Sequence, residues 1–195
     1  MKTTLRELRK YNLHGLDKLM KSLGTEDLDT EVSILEILNI CGIEDASWAL
    51  GIYPYKDVCL FLADVAESVL YLFEDKFPDD KRPKIAIEGI RLYHAGKITE
   101  GDLRILRWGV QSSVEDANYD TIYDVEIAAA CAAEVVFYAT DGNYIRFSTA
   151  ASEVVHCSYN TGGGYEIDKT LSKHVEPLLR KFLNKNLLDD DLFKI

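Results

Sequence analysis

Residues Tyr71 to Arg91 constrain the fold of this chain more than any other stretch. The run Tyr71-Leu-Phe-Glu-Asp-Lys-Phe-Pro-Asp-Asp-Lys-Arg-Pro-Lys-Ile-Ala-Ile-Glu-Gly-Ile-Arg91 reads as the end of one amphipathic helix, an acidic turn and the start of a second helix. Pro83 suits a first helical position, where its missing N–H would have had no intrahelical partner. Asp79 and Asp80 lie just before it, where carboxylates accept orphan amides and meet the positive end of the helix dipole.

The helical period continues on both sides. Thr4 and Glu7 form a capping-box pattern ahead of Leu5 and Leu8. Leu13, Leu16, Leu19, Met20 and Leu23 repeat at helical spacing, and Gly24 is a stop signal. A second run holds Val32, Leu35, Leu38 and Ile40 and ends near Gly42. From Asp57 to Phe73, apolar residues at Val58, Phe61, Leu62, Val65, Val69 and Leu72 oppose Asp57, Asp64, Glu67 and Ser68, a core-facing stripe of ordinary width. After the acidic turn, Ala86, Ile87, Ile90 and Tyr93 form the next apolar face, opposite Lys84, Glu88 and Arg91. Gly96 suits the position after a helix end. Thr99 with Asp102 resembles a capping box for a helix carrying Leu103, Leu106, Val110 and Val114.

The segment 116–120 is polar and turn-like, and 127–133 is rich in small residues of strong helix propensity. The stretch 134–147 reads locally as a β-hairpin around Asp141-Gly142, or as a helix ending at Gly142 and followed by another. Helices are favoured because the Ala-rich run leads straight into it. Residues 160–165 form a glycine-rich loop. A last helix holds Leu171, Val175, Leu178, Leu179, Phe182 and Leu183, with Pro177 as a kink or as a sign of a later start. The expectation is an all-α fold, one helical domain over 1–195 with about seven to nine helices. It leaves room for a short β-hairpin near 135–148 and a flexible acidic tail at 187–195.

Apolar residues make up 47% of the 195-residue chain, which argues against disorder. The formal net charge of −11 opposes direct binding of nucleic acid, which calls for a basic stripe. No apolar run approaches membrane-spanning length, and the first residues lack a signal-peptide pattern, so a cytoplasmic location is expected. Cys41, Cys59, Cys131 and Cys157 fit no metal or redox spacing and read as reduced, partly buried thiols. His14, His94, His156 and His174 show no zinc-helix spacing. No catalytic constellation, metal site or cofactor motif is expected.

Two acidic clusters are the candidate contact surface for a basic protein partner. The first is Asp75, Asp79 and Asp80 in the turn. Its plain reading is a capped helix start, with Arg82 tied to a carboxylate such as Asp64, Glu67 or Glu88. The second is Glu115, Asp116, Asp120 and Asp124, interleaved with Tyr119 and Tyr123. Tyrosine supplies contact area at low entropic cost, although a solvated helix junction explains the same residues. An alternative is a nucleotide-like small ligand held by Tyr144, Arg146, Tyr159 and the loop at Gly163, in a ligand-binding protein or a cryptic enzyme. A homo-oligomer buried on its own helical surface is a third reading.

Three segments resemble the Imm5-like immunity proteins of bacterial polymorphic toxin systems, which have phage-encoded relatives. They are Val32 to Leu50, Leu62 to Leu70, and Pro78 to Arg91, and the Ala-rich residues 128–133 are similar in character. The family's run Ala-Asp-Cys-Ala-Glu stands here as Ala63-Asp64-Val65-Ala66-Glu67, with valine in place of cysteine. Its Pro-Asp-Asp-x-Arg-Pro turn is Pro78 to Pro83, and its Ala-Ile-Glu helix starts at Ala86. The resemblance is best over 32–115 and departs after Phe137. It implies an intracellular, non-enzymatic inhibitor that binds a toxin, or a phage protein that blocks a bacterial defence enzyme.

Overall fold

The computed structural model of the chain describes residues 2–11, 13–118, 136 and 175–185. The described residues are mostly helical and carry one small sheet, in line with the expected all-α class. Strand β1 (Lys2–Thr4) leads into α1 (Leu5–Leu8) and a 3-10 turn (Arg9–Tyr11). Then come α2 (Leu16–Leu23), β2 (Glu31–Ser33), α3 (Ile34–Cys41), α4 (Ile43–Trp48) and a second 3-10 turn (Ala49–Ile52). The long helices follow: α5 (Tyr55–Val69), the short α6 (Tyr71–Glu74), α7 (Arg82–His94) and α8 (Glu100–Asn118). Residues 175–185 are helical, with Pro177 exposed among them.

The sheet is not where a hairpin was anticipated. β1 and β2 pair antiparallel with Thr3 opposite Val32. Val32 is therefore a buried strand residue and not part of the following helix. That helix starts only after Ser33, whose side chain and Glu36 form a reciprocal capping box. The cap fixes the boundary because Ser33 is extended while its hydroxyl takes the Glu36 amide. The 135–148 hairpin alternative lies outside the described residues except for Val136, which is helical.

The expected helix from 57 to 73 is interrupted at Leu70. The Ser68 hydroxyl donates to the Val65 carbonyl at 2.6 Å, and the Leu70 amide turns to Glu67, three residues back. A serine that bonds its own helix backbone loosens the ladder at that point. Other boundaries match the chain's own signals. Gly24 and Gly96 adopt left-handed backbone just past α2 and α7, with φ of 65° and 70°. The Thr99 and Asp102 capping box opens α8.

The core is centred on α5, which buries Val58, Phe61, Leu62, Val65 and Val69. Helix α7 packs against both α5 and α8. It runs antiparallel to α8, since Arg82 at its start meets Asp116 near the end of α8, and Gly89 faces Leu103 and Leu106. The C-terminal helical segment docks on the N-terminal half. Phe182 lies edge-on to Tyr53 at 5.1 Å and against Phe61 at 5.0 Å, and Arg180 donates to Asn39 at 2.9 Å. Each fully buried Leu or Phe of such a core contributes about 1.5–3 kcal/mol.

Candidate partner-binding surface

The loop between α6 and α7 is organised around Asp80. Its Oδ1 accepts the Arg82 backbone N–H at 3.0 Å and the Arg82 Nε at 2.9 Å. Its Oδ2 accepts Arg82 Nη2 at 2.6 Å and the buried Ser113 hydroxyl at 2.8 Å. Arg82 Nη2 reaches on to Asp116 Oδ2 at 2.7 Å. The Arg82 hydrogen bonds hold the Asp80 carboxyl down at about 2, against an opposing effect of burial. Asp80 thus ends the loop, starts α7 and grips α8, with both of its oxygens occupied.

Arg82 does not meet Asp64, Glu67 or Glu88. Those carboxylates belong to Arg91, whose Nη2 donates to Asp64 at 2.8 Å and to Glu67 at 2.6 Å, with Glu88 at 3.6 Å from Nη1. Arg82 and Arg91 stand roughly 13 Å apart along the axis of α7, so only the latter lies over the second half of α5. Burial opposes the Arg91 charge, but the hydrogen bonds it donates to Glu67 and Asp64 outweigh it and raise its pKa.

Helices α7 and α8 enclose a groove of about 730 Å³. Leu92, Ile98 and Leu106 line it, flanked by Ile85 and Ile105, with three carboxylates (Glu67, Glu88, Asp102) and two cations (Lys84, Arg91) at its margins. The helices approach closely because residue 89 is glycine; a methyl there would run into the end of Leu106. Ile85, Ile105 and, one turn further along α8, Trp108 are 51%, 68% and 71% exposed. None of these three belongs to the apolar faces read from periodicity. That was the available signal: large apolar residues placed off the core-facing stripe.

The anticipated acidic residues fall into three groups. Asp75 and Asp79 are exposed around the α6–α7 loop, and Glu115 and Asp116 are exposed in the last turns of α8. Helix α8 thus runs through Asp116 to Asn118, where a turn had been expected. Asp80 is half-buried and joins the two clusters through Arg82. Tyr119, Asp120, Tyr123 and Asp124 lie outside the described residues, as do Tyr144, Arg146, Tyr159 and Gly163 of the small-ligand alternative.

Among the described residues, no group of three or more His, Cys, Asp or Glu is arranged to hold a metal ion. No described helix is long and apolar enough to cross a membrane. Cys41 and Cys59 are free thiols. Burial pushes the Cys59 thiol up to about 12. Burial also raises Cys41, with Asp45 adding to it. Both are poor nucleophiles, since the thiolate is the reactive form.

Residues 53–111 match the family described as "Imm-5 like putative immunity protein". That segment is under a third of the chain; it takes in the resemblance read from Leu62 to Leu70 and from Pro78 to Arg91, and leaves out that read from Val32 to Leu50. The matched span runs from Tyr53 through α5, the Asp80 loop and α7 into α8, and it includes the whole groove and Trp108. Neither a curated protein nor a solved structure matches the chain.

Proposed function

We propose that this chain is a non-enzymatic, immunity-type protein that binds a basic partner protein and inhibits it. The observation that carries the reading is the family match over 53–111, on a segment that leaves Ile85, Ile105 and Trp108 exposed to solvent. The partner is a toxin or a bacterial defence enzyme in the same cytoplasm, and a phage-encoded chain of this kind would serve the second role. The net charge of −11 favours electrostatically steered association with a cationic enzyme. The acidic contact residues are Asp75, Asp79, Glu115 and Asp116, followed in sequence by Tyr119, Asp120, Tyr123 and Asp124. Asp80 holds the first two groups in register.

A pull-down of the tagged chain from its native cells, washed in low and then high salt, tests this. One basic enzyme released by salt and inhibited by the purified chain is the expected result. An empty pull-down, or a captured enzyme whose activity the chain leaves unchanged, removes the inhibitor reading.

A further inference from the structure

We propose that the groove between α7 and α8 is a second docking surface for that partner, in addition to the acidic contact residues, and that its occupant is a cationic amphipathic helix. Apolar side chains of the occupant would lie on Leu92, Ile98 and Leu106, and its lysines or arginines would meet the carboxylates at the margins. This rests on the partner-binding reading and names where and what the chain binds.

Scattered exposed apolar residues are ordinary on protein surfaces. Here Ile85 and Ile105 are exposed along one groove, and the exposed Trp108 follows Ile105 one turn further along α8, a concentration that marks an interaction site. Tryptophan at such a place is a characteristic anchor of binding energy. An apolar trough between two antiparallel helices suits a third helix laid along it.

The charges select the occupant. Asp64, Glu67 and Glu88 surround the single guanidinium of Arg91, which leaves negative charge in surplus. Lys84 lies 3.7 Å from Glu74 and is shared with it. The Asp102 carboxylate caps α8 through Thr99 and meets no cation among the described residues. A positively charged helix complements this margin. A second copy of the chain, docked face to face, would set the same carboxylates against one another.

The test uses the full chain carrying Trp48→Phe, so that Trp108 alone reports by fluorescence. The probe is a leucine–lysine amphipathic helical peptide. Its controls are a leucine–glutamate peptide with the same apolar face and a serine–lysine peptide with the same charge. The leucine–lysine peptide is expected to shift Trp108 emission to the blue and to bind more weakly as salt rises. Ile105→Ser, a surface change whose fold is checked by circular dichroism, should weaken it about tenfold or more. Both control peptides should bind at least about tenfold more weakly.

No blue shift, equal binding by the serine–lysine peptide, or an unaffected Ile105→Ser variant overturns the proposal. So does a dimer in light scattering that already buries Trp108. The assay needs no native partner, so the two readings fail separately. A captured and inhibited enzyme with no peptide binding removes the groove alone. Peptide binding with an empty pull-down removes the inhibitor reading and leaves the groove.

Discussion

Arg82 Nη2 lies 2.7 Å from Asp116 Oδ2, across thirty-four residues of chain, and ties the first turn of α7 to the end of α8. The same nitrogen is 2.6 Å from Asp80 Oδ2. Two acidic stretches that are separate in sequence are thereby joined through one guanidinium. Their energetic weights differ, because the Asp80 side chain is 18% exposed and that of Asp116 is 67% exposed.

Asp80→Ala should therefore cost far more than Asp116→Ala. The first removes a helix-start acceptor, worth about 0.5–2 kcal/mol. It also leaves the buried Ser113 hydroxyl and the Arg82 side chain short of a partner, at roughly 1–3 kcal/mol. A loss of about 2–4 kcal/mol is expected. Asp116→Ala gives up an exposed ion pair and should stay within about 1 kcal/mol. Urea unfolding of both variants checks this; equal losses would show that the Asp80 network does not hold the helix junction.

The Asp80 carboxyl also sets a pH dependence. Its folded value is depressed from an ordinary 3.8 to about 2. Its contribution to stability is therefore complete above the unfolded value, near pH 4, and is lost as pH falls through about 2. Asp80→Asn keeps a hydrogen-bond acceptor but not the charge. The gap in unfolding free energy between wild type and Asp80→Asn should be constant from neutral pH to about 5. It should then narrow toward pH 2. A gap that stays the same down to pH 2 would mean that the depressed titration is absent.

Much of this architecture was legible because its signals are local. Gly24, Gly96, Thr99 with Asp102, and the Pro83 region mark helix ends through chemistry confined to a few residues. The β1–β2 pair was not legible: three-residue strands joined over a long separation carry neither alternation nor a hairpin turn. The choice between Arg82 and Arg91 as partner of Asp64 and Glu67 was equally hidden, since it depends on how far α7 slides along α5. The groove was half legible. Ile85, Ile105 and Trp108 sit off the periodic stripe in sequence, but only the antiparallel packing of α7 on α8 brings Ile85 and Ile105 to one groove.

Arg91→Met should destabilise the chain by about 1–3 kcal/mol, in a way that salt partly reverses. The guanidinium, 27% exposed, separates three carboxylates, and its removal leaves Asp64, Glu67 and Glu88 repelling one another. Thermal denaturation at low and high salt measures this. Arg91→Lys should recover only part of the loss, because an ammonium cannot reproduce the forked contact to Asp64 and Glu67. A variant deficit that is independent of salt would point to lost packing alone.

Cys59 should resist alkylation in the native state. Its thiol is buried and pushed up to about 12, so almost no thiolate exists at neutral pH. In a Cys131→Ser, Cys157→Ser background, mass spectrometry after iodoacetamide should show slow modification at half-buried Cys41. Cys59 should be modified only once denaturant is added. Rapid native labelling of Cys59 would show that α5 opens readily.

Gly89→Ala separates stability from binding. The added methyl must displace the end of Leu106, a residue that borders the open groove and has room to turn into it. Alanine gains about 0.5–1 kcal/mol over glycine inside a helix. That offsets much of the repacking cost, which for an added methyl is typically about 1–3 kcal/mol. The unfolding free energy should change by no more than about 2 kcal/mol, while a Leu106 side chain turned into the groove weakens the leucine–lysine peptide about tenfold. A stable variant with undiminished peptide affinity would show that Leu106 yields in another direction. A variant that unfolds outright would show that α7 and α8 are locked at this crossing.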